Sequence, residues 1–493
     1  MKKILVTLAA FGLVAGSVAT AHATNGMNIE GYGPIALGMG GASYAYDNGT
    51  AATMNNPATI GLSEDHRFDI ALGFLGPDVT AKLPPSYGVP DAESGGDSYF
   101  MPAIGWTSRK GNLSYGIGVF GQGGMGTEYT RDSFMARPTS GLYPTGADTG
   151  DDVRSEVSVG RAIVPLAYNV NDKLILGGSL DFVWAGMDIK MAIGQDDFFG
   201  FLAGNGGTAS GSMITSFGNA VAGGFLNNGT GAGDGLGTGP FNWARFDFSN
   251  SSDFTGEARG YGAAGKIGFV YKVNPQFTIG ATYHTKTALG DLETDDAKVT
   301  FNVNADPLAS GTYTATTIPV EGEISVRDFE WPDTFGIGFA YQINDRIMVA
   351  ADVKQIRWSS VMEEFKMTFT ANNTQSNPLA MGFAGDVLNV ALFQEWDDQT
   401  VIELGGAFKA TDMVTLRAGY NHGSNPIPDK YLNALFPAIV EDHITAGLGL
   451  DFNEASSLNA ALSFALENDA TAGSGVISEH SQFSWQLMYT YKY

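Results

Sequence analysis

The chain has 493 residues, 66 of them Gly and none Cys, with 44% hydrophobic and 12% aromatic residues and a formal net charge of -25. That length exceeds the ~250–300 residues at which one soluble core stops growing. The aromatic content excludes a disordered chain, and the lack of Cys excludes a disulfide scaffold, a thiolate metal site and a Cys nucleophile. A balance of 27 Lys and Arg against 52 Asp and Glu excludes nucleic acid as a partner, because neutralising phosphates takes clustered cations.

Lys2 and Lys3, the apolar run from Ile4 to Val18 and Ala21-His22-Ala23 read as a secretory signal peptide over 1–23 with cleavage near Ala23. The run falls short of the ~20 residues a helix needs to cross a bilayer. No later stretch offers ~18 uninterrupted apolar residues, so a helical membrane protein is excluded. Residues 24–65 do not alternate, are rich in Gly and Ala and are too short for a core of their own. Ahead of a closed barrel, such a segment is expected to pack inside the lumen as a plug.

From residue 66 onward the pattern has period two. Phe483, Trp485, Leu487, Tyr489, Tyr491 and Tyr493 alternate with Ser484, Gln486, Met488, Thr490 and Lys492, as half-buried strands do. The runs predict about fourteen strands: 66–82, 98–108, 113–130, 153–170, 174–192, 255–273, 277–303, 318–343, 347–370, 396–409, 413–422, 440–452, 457–469 and 480–493. Tight polar turns such as Asn171-Asp172-Lys173 and Asn344-Asp345-Arg346 alternate with long connections at about 83–97, 131–152, 193–254, 304–317, 371–395, 423–439 and 470–479. Short turns at one end and long loops at the other define a transmembrane antiparallel β-barrel of the bacterial outer membrane, with an even strand number and both ends of the strand set in the periplasm.

Several residues carry candidate chemistry. The third strand ends Phe120-Gly121-Gln122-Gly123-Gly124-Met125-Gly126, a formal G-x-G-x-x-G with no strand–helix–strand unit around it, so a dinucleotide site is excluded. Glycines inside a strand mark a kink or bulge through their freedom at positive φ, or else a surface that admits the plug. Asn56-Pro57-Ala58 reads as a turn start. In the largest connection, Phe198, Phe199, Phe201, Leu202, Met213, Ile214, Phe217, Val221, Phe225 and Leu226 are too many large apolar groups for a bare loop, so they pack on one another or on a ligand; the 231–239 Gly run reads as linker. Alternation turns Arg161, Asp181, Lys266, Asp352, Lys354, Glu403, Lys409 and Arg417 toward the lumen as ion pairs. One or two of these cations could meet a ligand carboxylate, with Arg161, Lys354 and Arg417 as the candidates. Enzymatic chemistry has no support: no G-x-S-x-G occurs, and His66, His284, His422, His443 and His480 lack metal-ligand spacing. No metal and no cofactor is expected.

The segment Tyr44-Ala45-Tyr46-Asp47-Asn48 through Asn55-Asn56-Pro57-Ala58 resembles the N-terminal hatch of the FadL/TodX family of outer-membrane transporters for long-chain fatty acids and hydrocarbons. Trp331-Pro332-Asp333-Thr334-Phe335, Ala351-Asp352-Val353 through Trp358-Ser359-Ser360, and Leu416-Arg417-Ala418-Gly419-Tyr420 with Pro426-Ile427-Pro428-Asp429 continue the resemblance in family order over most of the chain. It implies a monomeric fourteen-stranded barrel closed by a hatch. Hydrophobic small molecules would be caught among the long loops, near Phe198, Phe199, Phe201 and Leu202. They would leave passively into outer-membrane lipid through a kink in the third strand at Phe120, Gly121, Gly123, Gly124 and Gly126. Asn56, Pro57 and Ala58 would satisfy the strand edges there. A general diffusion porin and a lipid-active outer-membrane enzyme are the competing readings.

Overall fold

The structure, a computed structural model, describes residues 25–137, 149–227, 239–251 and 256–493. The expected signal peptide at 1–23 and residues 231–238 of the expected linker lie outside the described residues. Among those described, 22 strand segments join in one antiparallel sheet. Fourteen of them form a closed circuit: β1 (Arg67–Lys82), β2 (Tyr99–Lys110), β3 (Leu113–Tyr129), β4 (Val153–Asn169), β5 (Leu174–Gly194), β6 (Ala258–Lys272), β7 (Phe277–His284), β8 (Thr334–Asn344), β9 (Ile347–Ile356), β10 (Gln399–Lys409), β11 (Val414–Gly423), β12 (Asp442–Asn453), β13 (Ser456–Thr471) and β14 (Ile477–Lys492). Each pairs with the next. β14 returns to β1 from Arg67↔Lys492 to Lys82↔Ile477, so the strand set closes on itself with no terminal edge strand.

The alternation resolves with its apolar side outward. Leu180 is 77% exposed, and Leu176, Phe182, Leu487, Tyr489 and Tyr491 are also exposed, whereas Asp181, Ser484 and Thr490 are buried inside. A wall apolar outside and polar within is the inverse of a soluble protein and suits lipid as the surrounding solvent.

Three of the expected runs do not continue unbroken. The runs at 277–303, 318–343 and 347–370 end and restart, with Leu292–Ala305, Thr314–Arg327 and Glu364–Ala371 set apart from the circuit, and Val387–Phe393 adds a strand inside the expected connection at 371–395. Two of the breaks, and the passage from Val387–Phe393 to Gln399–Lys409, turn a Trp inward. Trp331 follows Asp328, which has φ of 58°, and precedes Pro332. Trp358 sits in a 3₁₀ turn, and Trp396 follows Glu395, which has φ of 45°. All three are fully buried and stack edge to face, Trp331 on Trp358 at 5.6 Å and Trp358 on Trp396 at 5.3 Å. Burying three indoles against one another outweighs continued pairing.

The separate segments, with Phe241–Phe248 and Gly207–Ser210, extend the wall from the upper half of β5. The 193–254 connection is therefore not a simple loop. It contains helices Gln195–Leu202 and Ser212–Ala222 as well as two strands.

Residues 25–62 are enclosed by the circuit. Ser43 and Tyr44 N–H donate to Asp352 Oδ2 (2.6 and 3.0 Å), Thr50 N–H to Asp69 Oδ2 (2.8 Å) and Gly40 N–H to Thr445 Oγ1 (3.0 Å). Arg67 grips Asp47 with two hydrogen bonds of 2.8 Å, and Gln486 Nε2 donates to the Gly31 carbonyl (3.0 Å). These partners lie on β1, β9, β12 and β14, so the segment is held from several sides. Two strand glycines make the fit possible by close approach: a Cβ at Gly280 would run into the Tyr44 carbonyl, and one at Gly419 into the Gly40 amide.

Replacing Gly419 by Val should therefore cost several kcal/mol by overpacking, whereas Ala at Gly406, whose Cβ would meet nothing closer than 4.0 Å, should be tolerated. Heat-modifiable gel mobility of the refolded barrels reads the difference.

Candidate functional site

β2 and β3 pair from Lys110↔Leu113 to Ile104↔Val119 and then separate. Above that point Tyr99–Ala103 of β2 remains paired with β1. Among the circuit strands, residues 120–129 of β3 follow β4 alone, with the register shifting between Gly121 and Gly123 so that Gln122 bulges, and Ser94 bridges Tyr129 at the upper end. The wall thus has a lateral gap. A cavity of about 310 Å³ fills it, lined among others by Phe100, Met101, Pro102, Phe120, Gly123, Gly124, Met125 and Val157.

The glycines of β3 serve here in the second of the two ways the sequence allowed, as a surface that admits the enclosed segment. None of Gly121, Gly123, Gly124 or Gly126 adopts positive φ. Instead, the absent side chain at Gly123 admits the Met27 carbonyl. Gly124 N–H donates to that carbonyl (3.1 Å), Asn28 bridges Gly123, and the Tyr32 hydroxyl donates to the Gln122 carbonyl (2.7 Å). Residues 27–32 therefore satisfy the freed backbone of β3. Phe120 packs inward against Ala51, Met54 and Ile163.

Asn56-Pro57-Ala58 is not at the gap. Asn56 caps the 3₁₀ turn Pro57–Leu62, its Oδ1 accepting from Ala58 N–H (3.1 Å). Its Nδ2 donates to the carbonyls of Tyr44 (2.8 Å) and Phe269 (3.2 Å), and Ala58 packs on Ala167, Ile175 and Val270. The motif fixes the enclosed segment against β4, β5 and β6, and the turn reading is the one the geometry supports.

The candidate cations turn to protein partners. Arg161 pairs with Asp181 (2.9 Å) and its Nε donates to the side chain of the bulged Gln122, while Lys266 shares the same Asp181. Arg161 thereby positions the bulge. Lys354 pairs with Glu403 (2.6 Å), and Arg417 donates to Asn459 Oδ1 (3.1 Å). Lys409, expected in the lumen, is exposed beside Asp412 in a turn. His284 meets the Asn55 carbonyl at 2.8 Å.

The apolar residues of the 193–254 stretch divide. Phe198 is buried, stacked on Phe241 at 4.5 Å and beside Phe217, as packing of the wall extension. Phe199 and Leu202 are exposed. Phe201 lines a second cavity of about 310 Å³ with Phe134, Met135, Met191, Leu392, Leu432 and Val476, where Arg137, Asp197 and Lys430 are the charged groups.

Between the outer cavity and the lateral one lies a narrow void of about 30 Å³, walled by Met27, Met187, Met191, Met362 and Trp396 among others. It shares Met191, Leu392, Gln394, Asn433 and Leu435 with the outer cavity and Val157 with the lateral cavity. On the lipid-facing side an apolar groove of about 580 Å³, with Ile70, Leu72, Ile104, Leu487 and Tyr489, shares Pro102 and Val119 with the lateral cavity. Each of the four spaces thus borders the next through shared lining residues. Sequence reasoning missed the methionines and Trp396. Met187 and Met191 share inward parity with Asp181 on β5, and Trp331, Trp358 and Trp396 interrupt alternating runs; those were the available signals.

A closed barrel, apolar outside, whose internal cavities open through its wall, is an outer-membrane transport protein in architecture. The chain belongs to the family described as "Outer membrane protein transport protein (OMPP1/FadL/TodX)", which matches residues 13–486. The toluene transporter TodX of Pseudomonas putida is 28% identical over 94% of this chain and 99% of its own, with a TM-score of 0.76. The Ralstonia pickettii toluene transporter TbuX is 28% identical over 94% and 99%, with a TM-score of 0.71. A Pseudomonas aeruginosa FadL homologue shares the fold at 14% identity, covering 95% and 99%, with a TM-score of 0.63. An uncharacterised Chlorobium limicola protein from the 5′ region of a phosphoenolpyruvate carboxykinase gene is 47% identical over 70 residues, 14% of this chain and 34% of that protein's length. The family is one of transport proteins, and the enzymatic alternative falls with that finding.

One group of the enclosed segment sets a pH dependence. Glu30 is 1% exposed, and burial pushes its carboxyl up from 4.5 to about 7. The folded state then holds this proton more tightly than the unfolded chain, so Glu30's contribution to stability is complete below pH ~4.5 and is lost as pH rises through ~7. The unfolding temperature of the refolded barrel should drop between pH 5 and 8, and Glu30→Gln should flatten that drop.

Proposed function

We propose that the chain carries small hydrophobic molecules passively across the outer membrane, from the loop cavity through the methionine-walled constriction and the lateral gap into the bilayer. The observation that carries this reading is the series of neighbouring cavities, each sharing lining residues with the next, that ends at the gap between β2 and β3. An aqueous exit would cost an apolar ligand roughly 0.8 kcal/mol for every CH₂ returned to water, and a lateral exit avoids that cost. Residues 24–65 act as the hatch, with Met27 at once in the constriction wall and hydrogen-bonded to β3. A ligand that pushes Met27 aside therefore also loosens the bulge, which supplies ligand gating. Phe201 belongs to the capture site, and Arg161 acts on the gate through Gln122.

The substrate class is small and neutral. TodX and TbuX are toluene transporters, and the constriction carries no charged side chain, which favours hydrocarbon-like compounds over ionised fatty acids. The barrel closes on its own strands and acts as a monomer. The signal peptide at 1–23, cleaved near Ala23, delivers it to the outer membrane. A general diffusion porin is disfavoured because residues 25–62 fill the interior.

Deleting residues 24–58 should raise single-channel conductance in a planar bilayer from near zero; unchanged conductance contradicts the hatch. The lateral route has its own test. A Cβ at Gly121 would stand 3.6 Å from that of Met101, within disulfide reach of ~3.5–4.5 Å, in a chain with no other Cys. Met101→Cys with Gly121→Cys, once oxidised, should abolish uptake of labelled toluene into cells, and reduction should restore it. Uptake indifferent to the bond rules the lateral exit out.

A further inference from the structure

The constriction has a composition that selects among neutral ligands. Fourteen residues line it and none is ionisable; three are polar but uncharged, Gln394, Trp396 and Asn433. Trp396 is 2% exposed, and its indole N–H has no hydrogen-bond partner among the described residues. The two other indoles of the stack are satisfied, Trp331 Nε1 donating to Asn28 Oδ1 (2.8 Å) and Trp358 Nε1 to Gln399 Oε1 (3.3 Å), and Asn433 Oδ1 accepts from Leu435 N–H (2.9 Å). A buried donor that borders a void takes its partner there, water or ligand.

Two ligand classes leave that donor unanswered or cost more than it returns. A pure hydrocarbon that pushes the thioethers apart enters the space but offers no acceptor. A carboxylate offers one but must bury a charge with no cation in the wall. A neutral molecule with an apolar body and one acceptor oxygen meets both requirements, and the four flexible thioethers adapt to the shape of that body.

We infer that the constriction is a binding site for neutral, mostly apolar molecules bearing a single hydrogen-bond acceptor, such as aryl or alkyl ketones, esters and ethers, with Trp396 Nε1 as the donor. This rests on the transport route proposed above and names the substrate class of its narrowest point.

The test uses a near-isosteric pair, ethylbenzene and acetophenone, which differ by a carbonyl. Binding to the full-length protein in detergent is measured by titration calorimetry with protein-free micelles as the blank. Trp396→Phe should weaken acetophenone about tenfold, the scale of one neutral hydrogen bond, and leave ethylbenzene within about twofold. In the wild type, which needs no variant to fold, the carbonyl stretch of bound acetophenone should lie below its value in hexane. Benzoate at neutral pH should not bind. An equal loss for both ligands, an unshifted carbonyl band, or benzoate binding as tightly as acetophenone overturns the inference. Wild-type binding of ethylbenzene alone overturns it and leaves the transport reading standing; binding of neither ligand ends both.

Discussion

Backbone amides and carbonyls surrounded by lipid have no water to fall back on, and each one left unpaired costs several kcal/mol. Ring closure from β14 to β1 answers that demand everywhere except where β2 and β3 part. There the chain itself supplies the missing partners. The Met27 carbonyl, Asn28 and the Tyr32 hydroxyl meet Gly124, Gly123 and Gln122. The opening in the wall and the presence of the enclosed segment are therefore one feature: without residues 27–32 the gap would leave bare backbone, and with them its backbone groups are paired.

Charge inside the barrel follows the same logic. The carboxylates that hold residues 25–62 do so by accepting backbone N–H groups, Asp352 from Ser43 and Tyr44 and Asp69 from Thr50. The buried cations are committed to structural carboxylates, Arg161 and Lys266 to Asp181 and Lys354 to Glu403. Removing one partner of such a pair strands a buried charge, so these groups are fastenings. The polar anchoring lies around the enclosed segment, and the uncharged constriction lies apart from those anchors, so apolar cavity lining and a charged interior share one lumen.

The alternating pattern, the tight turns and the non-alternating start made the barrel and its contents legible from the residues, because period two and turn chemistry are local properties that survive any tertiary arrangement. Phe120 and the glycines of β3 were also legible as a weakened stretch of strand, since glycine runs interrupt a ladder wherever they fall. Both positive φ and close approach of the plug were open to them, and Gly123 takes the second, its missing Cβ admitting the Met27 carbonyl. Unbroken runs at 318–343 and 347–370 were expected because alternation continues across Trp331 and Trp358; only the stacked indoles reveal why the strands stop. Phe198 and Phe201 looked alike in sequence, yet one packs the wall extension and the other lines a cavity.

By itself, then, the sequence determined that this chain is an outer-membrane barrel with an N-terminal segment inside it and an apolar surface facing lipid. Which side chains meet was decided by the tertiary structure. Met27, Met187, Met362 and Trp396 converge on one void from separate parts of the chain, and residues 27–32 rather than Asn56-Pro57-Ala58 reach the gap. Alternation tells only whether a side chain points in or out. Height along the barrel and position around it come from strand register and ring closure, which join residues hundreds of positions apart and leave no periodic trace.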